Sequence, residues 1–247
     1  MSELKEKNKV KEKTSVFSSK IFIGVSIISL IGFVIIVAFG ISIFRSISVT
    51  PEEDSNFQVV KREGLSEDPL ITLVSLTPSL KDSDPVRGLE KASVTIVEFG
   101  DFECSYCASM KSTLGDILAA YPQQVRLVWK DFPLTAVHDQ AYQAAVAARC
   151  AQLQGKFWEM HDLLLANNFF LSPDNFSEFA EELGLNLEDF NQCLDLEQAA
   201  SLVDEGIKQA QDLKIEGTPH FFINDQEISG TATFEDFKQL IEIELER

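Results

Sequence analysis

The sequence predicts an α/β fold: a β-α-β unit, then a block of helices, then a closing α-β-β-α. Three observations predict it. A β-branched run, Val94-Thr95-Ile96-Val97, passes directly into a helical pattern in which Met110, Leu114, Ile117 and Tyr121 recur at helical spacing. A second strand-like run, Val125 to Trp129, follows that helix across Tyr121-Pro122. Near the end of the chain, His220–Asn224 and Glu227-Ile228 flank an Asn224-Asp225 turn and read as a hairpin. Strand, helix and strand in succession imply parallel strands.

The elements follow in order. Ser93 to Phe99 is apolar almost throughout, as a central strand buried on both faces must be. The helix from Cys104 stops at Tyr121-Pro122, because proline cannot continue it. Gly115 inside that helix costs about 1 kcal/mol relative to alanine or marks a bend. Asp139 to Leu153 is rich in alanine, a strong helix former. Gly155 separates it from Lys156–Ala166, where Phe157, His161 and Leu164 share one face. Ser172-Pro173-Asp174 is a helix start with a capping serine and a proline in the first turn. Gly184 ends that helix, Asn186 caps the next, and a further helix runs from about Glu197 to Ile215 and stops at Gly217. Thr233 caps the last helix, Phe234 to Glu246.

The 247 residues carry a formal net charge of −18. The charge is unevenly placed. Residues 1–20 hold six Lys against three Glu, whereas residues 46–247 hold 14 Lys/Arg against 36 Asp/Glu. An acidic body of this kind repels phosphate backbones and argues against a nucleic-acid partner. Ile21 to Phe44 is 24 residues without a charge, long enough to cross a bilayer as a helix. The lysines before it keep residues 1–20 on the cytoplasmic side and send the body out, as a single-pass protein of the cell membrane. A cleaved signal peptide is the rival reading, since Ala38-Phe39-Gly40 has a small-x-small pattern. The apolar run is longer than a signal-peptide core, which favours an uncleaved signal-anchor. The expected organisation is a basic tail (1–20), a transmembrane helix (21–44), a tether (45–84) and a folded domain (85–247) whose helical insertion covers about 135–196. Within the tether, Leu70–Leu76 has the pattern of a short strand.

Cys104 and Cys107 sit where the first strand hands over to a helix. Unpaired backbone N–H groups at a helix start favour a thiolate, so Cys104 is the candidate nucleophile. Cys107, in the first turn, is near enough to close a small disulfide ring. A lone Cys-x-x-Cys also suits half a zinc site, but the strand before it and the helix after it favour redox chemistry, with no metal and no cofactor beyond a Cys104–Cys107 disulfide. Four cysteines outside the cytoplasm suit an oxidising compartment, and their even number predicts a structural Cys150–Cys193 disulfide. Two buried free thiols are the alternative. Glu98, at the end of an apolar strand, is a candidate buried carboxyl for proton relay. Asp101 and Glu103 lie close in sequence to Cys104 and are expected to oppose its ionisation. His138 and His161 read as helix-start or core-edge residues, and strand alternation is expected to turn His220 away from the cysteines.

Taken together, Val94–Cys107, Gly155-Lys156-Phe157-Trp158-Glu159-Met160-His161-Asp162, and Gly217-Thr218-Pro219 before Phe221-Phe222-Ile223-Asn224 resemble the DsbA-like thiol–disulfide oxidoreductases. That resemblance implies a thioredoxin-like fold with an inserted helical domain over roughly Pro85 to Leu245. It implies Cys104 as the attacking thiol, Cys107 as the buried resolving one, and Glu98 as the acid beside it. It also implies Pro219 as a cis-proline facing the disulfide, with Thr218 pairing its backbone to an extended substrate. Many members carry proline or histidine inside the Cys-x-x-Cys; this chain has Ser105-Tyr106. The expected activity is disulfide formation in unfolded or thiol-containing exported proteins, with a membrane redox partner for recycling. Reductase and isomerase activities share these residues. A peptide- or metal-binding assembly module with a merely structural disulfide is the non-enzymatic alternative.

Overall fold

The computed structural model describes residues 58–59 and 77–247. The apolar run Ile21–Phe44, the basic tail and the Leu70–Leu76 pattern lie outside the described residues. Among the described residues, no helix is long and apolar enough to cross a membrane.

One mixed sheet organises the described chain. Its strands are β1 (Gln58–Val59), β2 (Val86–Gly88), β3 (Val94–Gly100), β4 (Val125–Asp131), β5 (His220–Ile223) and β6 (Gln226–Ser229). They lie in the order β1-β6-β5-β3-β4-β2. Only β3 and β4 run parallel, joined by helix α1 (Ser105–Ala120); the other neighbours are antiparallel. β3 is central and buried on both faces, which explains its nearly unbroken apolar sequence.

Alternation along β3 separates two cores. Val94 and Ile96 pack with Met110, Leu114 and Ile117 of α1 and with Phe237, Leu240 and Ile241 of α7 (Phe234–Leu245). Val97 and Phe99 pack on the other face with Val128, Phe222, Leu213 and Ile215. A third core fills the helical block, α2 (Ala141–Leu153), α3 (Phe157–Ala166), α4 (Pro173–Glu182), α5 (Leu187–Leu194) and α6 (Glu197–Asp212). Cys150 of α2 and Cys193 of α5 form a disulfide inside this third core, with an S–S distance of 2.05 Å.

Capping explains most boundaries. Ser172 accepts from the Asn175 N–H with Pro173 in the first turn, and Asn186 accepts from Glu188 and Asp189. Thr233 and Asp236 form a reciprocal capping box on α7. One boundary differs from expectation. α6 ends at Asp212, ahead of Gly217, because Lys214 takes a left-handed φ of 56° and the Ile215 N–H bonds back to the Ala210 carbonyl. This return satisfies the last turn and buries Ile215.

The ordered body also begins before Pro85. Lys130 of β4 reaches back to the Asp84 carboxylate at 2.6 Å and to the Ser79 carbonyl at 2.9 Å, while Gln209 donates to Ser79. The Lys130–Asp84 pair is buried, so this part of the expected tether is bound to the sheet. Gln58–Val59, also expected in the tether, adds an edge strand to β6.

The helical block meets β4 at close range. Arg149 of α2 bonds the Asp131 carboxylate at 2.6 Å, both groups buried. Gly206 of α6 lies against the Asp131 backbone, where a Cβ would collide with the carbonyl oxygen. A Gly206→Ala substitution is therefore expected to destabilise the fold by about 1–3 kcal/mol, the usual cost of overpacking. Urea unfolding of the purified variant checks this. The Cys150–Cys193 loop spans 43 positions, and opening it by substituting both cysteines with alanine is expected to cost about 4 kcal/mol in the chain-entropy model.

Candidate active site

The site lies where β3 runs out. Asp101 and Phe102 lead from Gly100 to Cys104, which occupies the N-cap of α1 with extended backbone angles (φ −74°, ψ 119°). No side chain caps this helix. Its first-turn N–H groups are thus left to the cysteines, which form the dithiol state. Cys104 is 5% exposed; Cys107, the third residue of α1, is fully buried.

The two sulfurs differ in what surrounds them. The Cys104 thiol is lowered from an ordinary value of 9.0 to about 5. Donation from the Cys107 thiol is the largest cause; it outweighs burial with help from the Cys107 N–H, the Thr218 side chain and the Tyr106 N–H. The Cys107 thiol is pushed well above its ordinary value, first by burial and then by its bond to Cys104 and the charge of Glu98. One cysteine is an ionised nucleophile at neutral pH and the other holds its proton.

Glu98 shares the α1-covered face of β3 with Val94 and Ile96, by strand alternation. Burial, and secondly the charge of Cys104, raise its carboxyl from 4.5 to about 8. Glu98, Cys107, Arg87, Lys111 and His161 line one narrow cleft behind the cysteines. Opposite Cys104, the Thr218–Pro219 peptide is cis, and the Thr218 carbonyl lies 3.5 Å from the Cys104 sulfur. Thus Cys104, Cys107, Glu98, Thr218 and Pro219 come together, although 121 positions separate the first from the last in the chain. Cys150 and Cys193 are bonded to each other in the helical block. Among the described residues, no group of three or more His, Cys, Asp or Glu side chains is placed to hold a metal ion.

Asp101 and Glu103, expected to oppose the ionisation of Cys104, also accept hydrogen bonds from the loop that enters the helical block. Asp101 accepts from the Glu103 and Leu134 N–H groups and bonds His138 Nδ1 at 2.8 Å. Glu103 accepts from the Gln140 N–H at 2.7 Å. Both acids thereby pin the loop that enters the helical block to the site. His138 is accordingly more than a helix-start residue. Burial pulls its pKa down, but the bond to Asp101 and Asp101's charge outweigh this and raise it. His161 likewise proves fully enclosed and lines the cleft. No local signal marked His138, since it and Asp101 are 37 positions apart. His220 pairs across the sheet with Phe99, on the face away from α1, and bonds Glu227 at 2.8 Å.

A parallel β3–α1–β4 unit, an antiparallel hairpin, a buried dithiol at a helix start and a cis-proline opposite it define a thioredoxin-type architecture. The thioredoxin family profile matches residues 80–243, and the chain belongs to that family. BdbD from Bacillus subtilis, in its oxidised form, superposes with a TM-score of 0.63 at 26% identity, covering 69% of this chain and 96% of BdbD. A thioredoxin-like oxidoreductase from Silicibacter pomeroyi superposes with a TM-score of 0.60, also at 26% identity, over 68% of this chain and 95% of its own. A Na(+)/H(+) antiporter NhaA 3 from Salinispora tropica is 40% identical over 172 residues, 70% of this chain. The chain spans about a quarter of that antiporter's length, 26%.

The thiol values set the pH behaviour. A folded pKa of about 5 at Cys104 lies below the ordinary thiol's 9.0, so its stabilisation of the reduced protein is full above about 9 and lost as pH falls through 5. Glu98 has the opposite sign. Its stabilisation is full below 4.5 and lost as pH rises through about 8. Ultraviolet thiolate absorbance is expected to titrate near 5 and to vanish in Cys104→Ser. Glu98→Gln is expected to remove the loss of reduced-state stability between pH 4.5 and about 8, read by denaturant unfolding across pH.

Proposed function

We propose that this chain is a membrane-anchored thiol–disulfide oxidoreductase, its catalytic domain outside the cytoplasm, that forms disulfides in exported proteins. One observation carries the redox reading: Cys104 is held ionised by donors while Cys107, bonded to it, is held protonated by burial. A purely structural disulfide needs no such asymmetry. In the oxidised state a client thiolate attacks Cys104, the Cys104–Cys107 bond breaks, and Cys107 leaves with the electron pair. Glu98 carries a proton below about 8, so at neutral pH it can supply the proton that Cys107 takes up. The Cys104 thiolate is the good leaving group when the client's second thiol attacks the mixed disulfide. Thr218 beside Cys104 offers its main chain to an extended client segment, and such pairing accepts many sequences. Electrons then pass from the dithiol to a membrane partner.

Support for the direction comes from the Cys104 thiolate. What stabilises it stabilises the reduced form, and this makes the disulfide an oxidant. Support for the location comes from Ile21–Phe44 and the lysines ahead of it. Ion transport is not carried over from the antiporters, of which the similarity covers a quarter.

Equilibration with glutathione buffers tests the function. The expected potential lies between about −120 and −270 mV, the DsbA and thioredoxin values. A value below about −300 mV, typical of structural disulfides, would sink the enzymatic reading. Cys107→Ser is expected to accumulate mixed disulfides with client proteins on non-reducing gels, and Cys104→Ser none. Protease added outside intact cells is expected to digest the body from about Ser46 onward; protection of the whole chain would refute the topology.

A further inference from the structure

The cleft behind the cysteines holds a second titratable pair. His161 of α3 is buried in a cage of Phe102, Trp129, Phe157 and Trp158, with ring centroids 4.7 to 6.1 Å away. Its Nδ1 lies 2.8 Å from the Asp162 carboxylate. Asp162 is held as an anion: despite burial, the bonds from His161 and Arg87 lower it to about 2. An ionised carboxylate accepts, so Nδ1 carries the proton and Nε2 is a bare acceptor. That Nε2 is buried and has no hydrogen-bond partner. A buried unpartnered nitrogen is costly and calls for a reason. His161 lines the same cleft as Glu98 and Cys107, while the Asp162 side chain is 35% exposed. The dyad therefore spans from the enclosed site to solvent.

We propose that the His161–Asp162 dyad is the proton relay between solvent and the Glu98–Cys107 pair, a role that rests on the redox reading above. Re-oxidation by a disulfide acceptor shows the need. The Cys104 thiolate attacks the acceptor disulfide and forms a mixed disulfide, releasing one acceptor thiolate. Cys107 must then lose its proton to attack the Cys104 sulfur. The Cys104–Cys107 bond forms, and the second acceptor sulfur leaves with the electron pair. Glu98 holds a proton at neutral pH and becomes a base for Cys107 only after handing that proton on. His161 Nε2 takes it across the cleft, and the Nδ1 proton leaves through Asp162. When a client later reduces the disulfide, Cys107 leaves and needs a proton. The same path then runs inward and restores the starting tautomer. One proton leaves and one enters per cycle, so no ring rotation is needed.

The charged and titratable groups around the imidazole are consistent with this. Arg87 of β2 bonds Asp162 at 2.9 Å, and Lys111 of α1 donates to the Asp162 carbonyl at 3.2 Å. Burial first, with both cations adding to it, lowers the imidazole against the pull of Asp162 and keeps it neutral at rest. Glu98 of β3 and Cys107 of α1 line the same cleft.

The test follows single turnover of the reduced full chain with oxidised glutathione, acid-quenched and counted by mass spectrometry. Formation of the Cys104–glutathione mixed disulfide reads Cys104; its decay to the internal disulfide reads Cys107. His161→Asn is expected to slow decay about tenfold or more, within the reach of general acid–base catalysis. It is also expected to change the pH profile and solvent isotope effect of decay, leaving formation unchanged. Asp162→Asn keeps the ring and its cage, and is expected to act in the same direction. Decay at the wild-type rate in His161→Asn overturns the relay, as does slower decay with an unaltered pH profile and isotope effect. A silent Asp162→Asn overturns the dyad. Failure of the wild-type protein to form any mixed disulfide overturns the redox reading itself, and is distinguished by appearing before either variant is compared.

Discussion

Donation from the Cys107 thiol to the Cys104 sulfur, the largest cause of the low Cys104 pKa, is the interaction around which the site is arranged. It is strong only while one sulfur is an anion and the other a donor, because charge-assisted bonds in a low dielectric exceed neutral ones. Holding that division requires opposite environments a few ångströms apart. Cys104 occupies the N-cap, where Cys107 and Tyr106 present their N–H groups. Cys107 lies deeper in the first turn, under Phe102, Trp129 and the helical block. The helix start, the buried strand beneath it and the covering helices each supply one part of the division.

Covering the site demands that the helical block be seated firmly on the sheet. Arg149 and Asp131 form a buried ion pair across that junction, and Asp131 also accepts from the Trp129 indole at 2.8 Å. Trp129 in turn stacks on Phe102 at 4.7 Å, two residues before Cys104. A buried pair of this kind is a weak source of net stability. Removing one partner alone costs about 3–5 kcal/mol, because it strands the other charge. The pair ties α2 to β4. Gly206 and Gly100 permit the accompanying close approaches, Gly206 to the Asp131 backbone and Gly100 to the Trp129 ring.

The acids next to the cysteines show why proximity in sequence misleads. Asp101 and Glu103 lie within three residues of Cys104, yet they serve the entry loop of the helical block through Leu134, His138 and Gln140. A carboxylate that accepts two N–H donors and bonds a histidine fixes loop backbone to the strand end. The groups that shape Cys104 are instead a buried thiol, backbone N–H groups and a threonine 114 positions away. Glu98, distant by six residues, is coupled to the thiols because strand alternation aims it beneath α1.

The β-α-β unit, the closing hairpin, the helix starts at Ser172, Asn186 and Thr233, and the cysteines at a strand-to-helix junction were legible in the sequence; the sheet order and its edge strands β1 and β2 were not. Each legible feature depends on residues within a turn or two of one another: alternation, capping geometry and proline's missing N–H are local. The end of α6 was misread from a glycine because Lys214 took the left-handed position in its place, where burial of Ile215 repaid the strain. The docking of residues 79–84 was invisible, since Lys130 and Asp84 meet only through the sheet. The same holds for Arg149 with Asp131 and Arg87 with Asp162, pairs separated by 18 and 75 positions. His138 and His161 looked unremarkable by themselves. Their partners are adjacent or distant carboxylates, and only the packed structure decides which histidine is half-buried, which is enclosed, and which nitrogen is left bare. A sequence records the groups able to ionise; the desolvation that sets their protonation arises only when distant segments close over them.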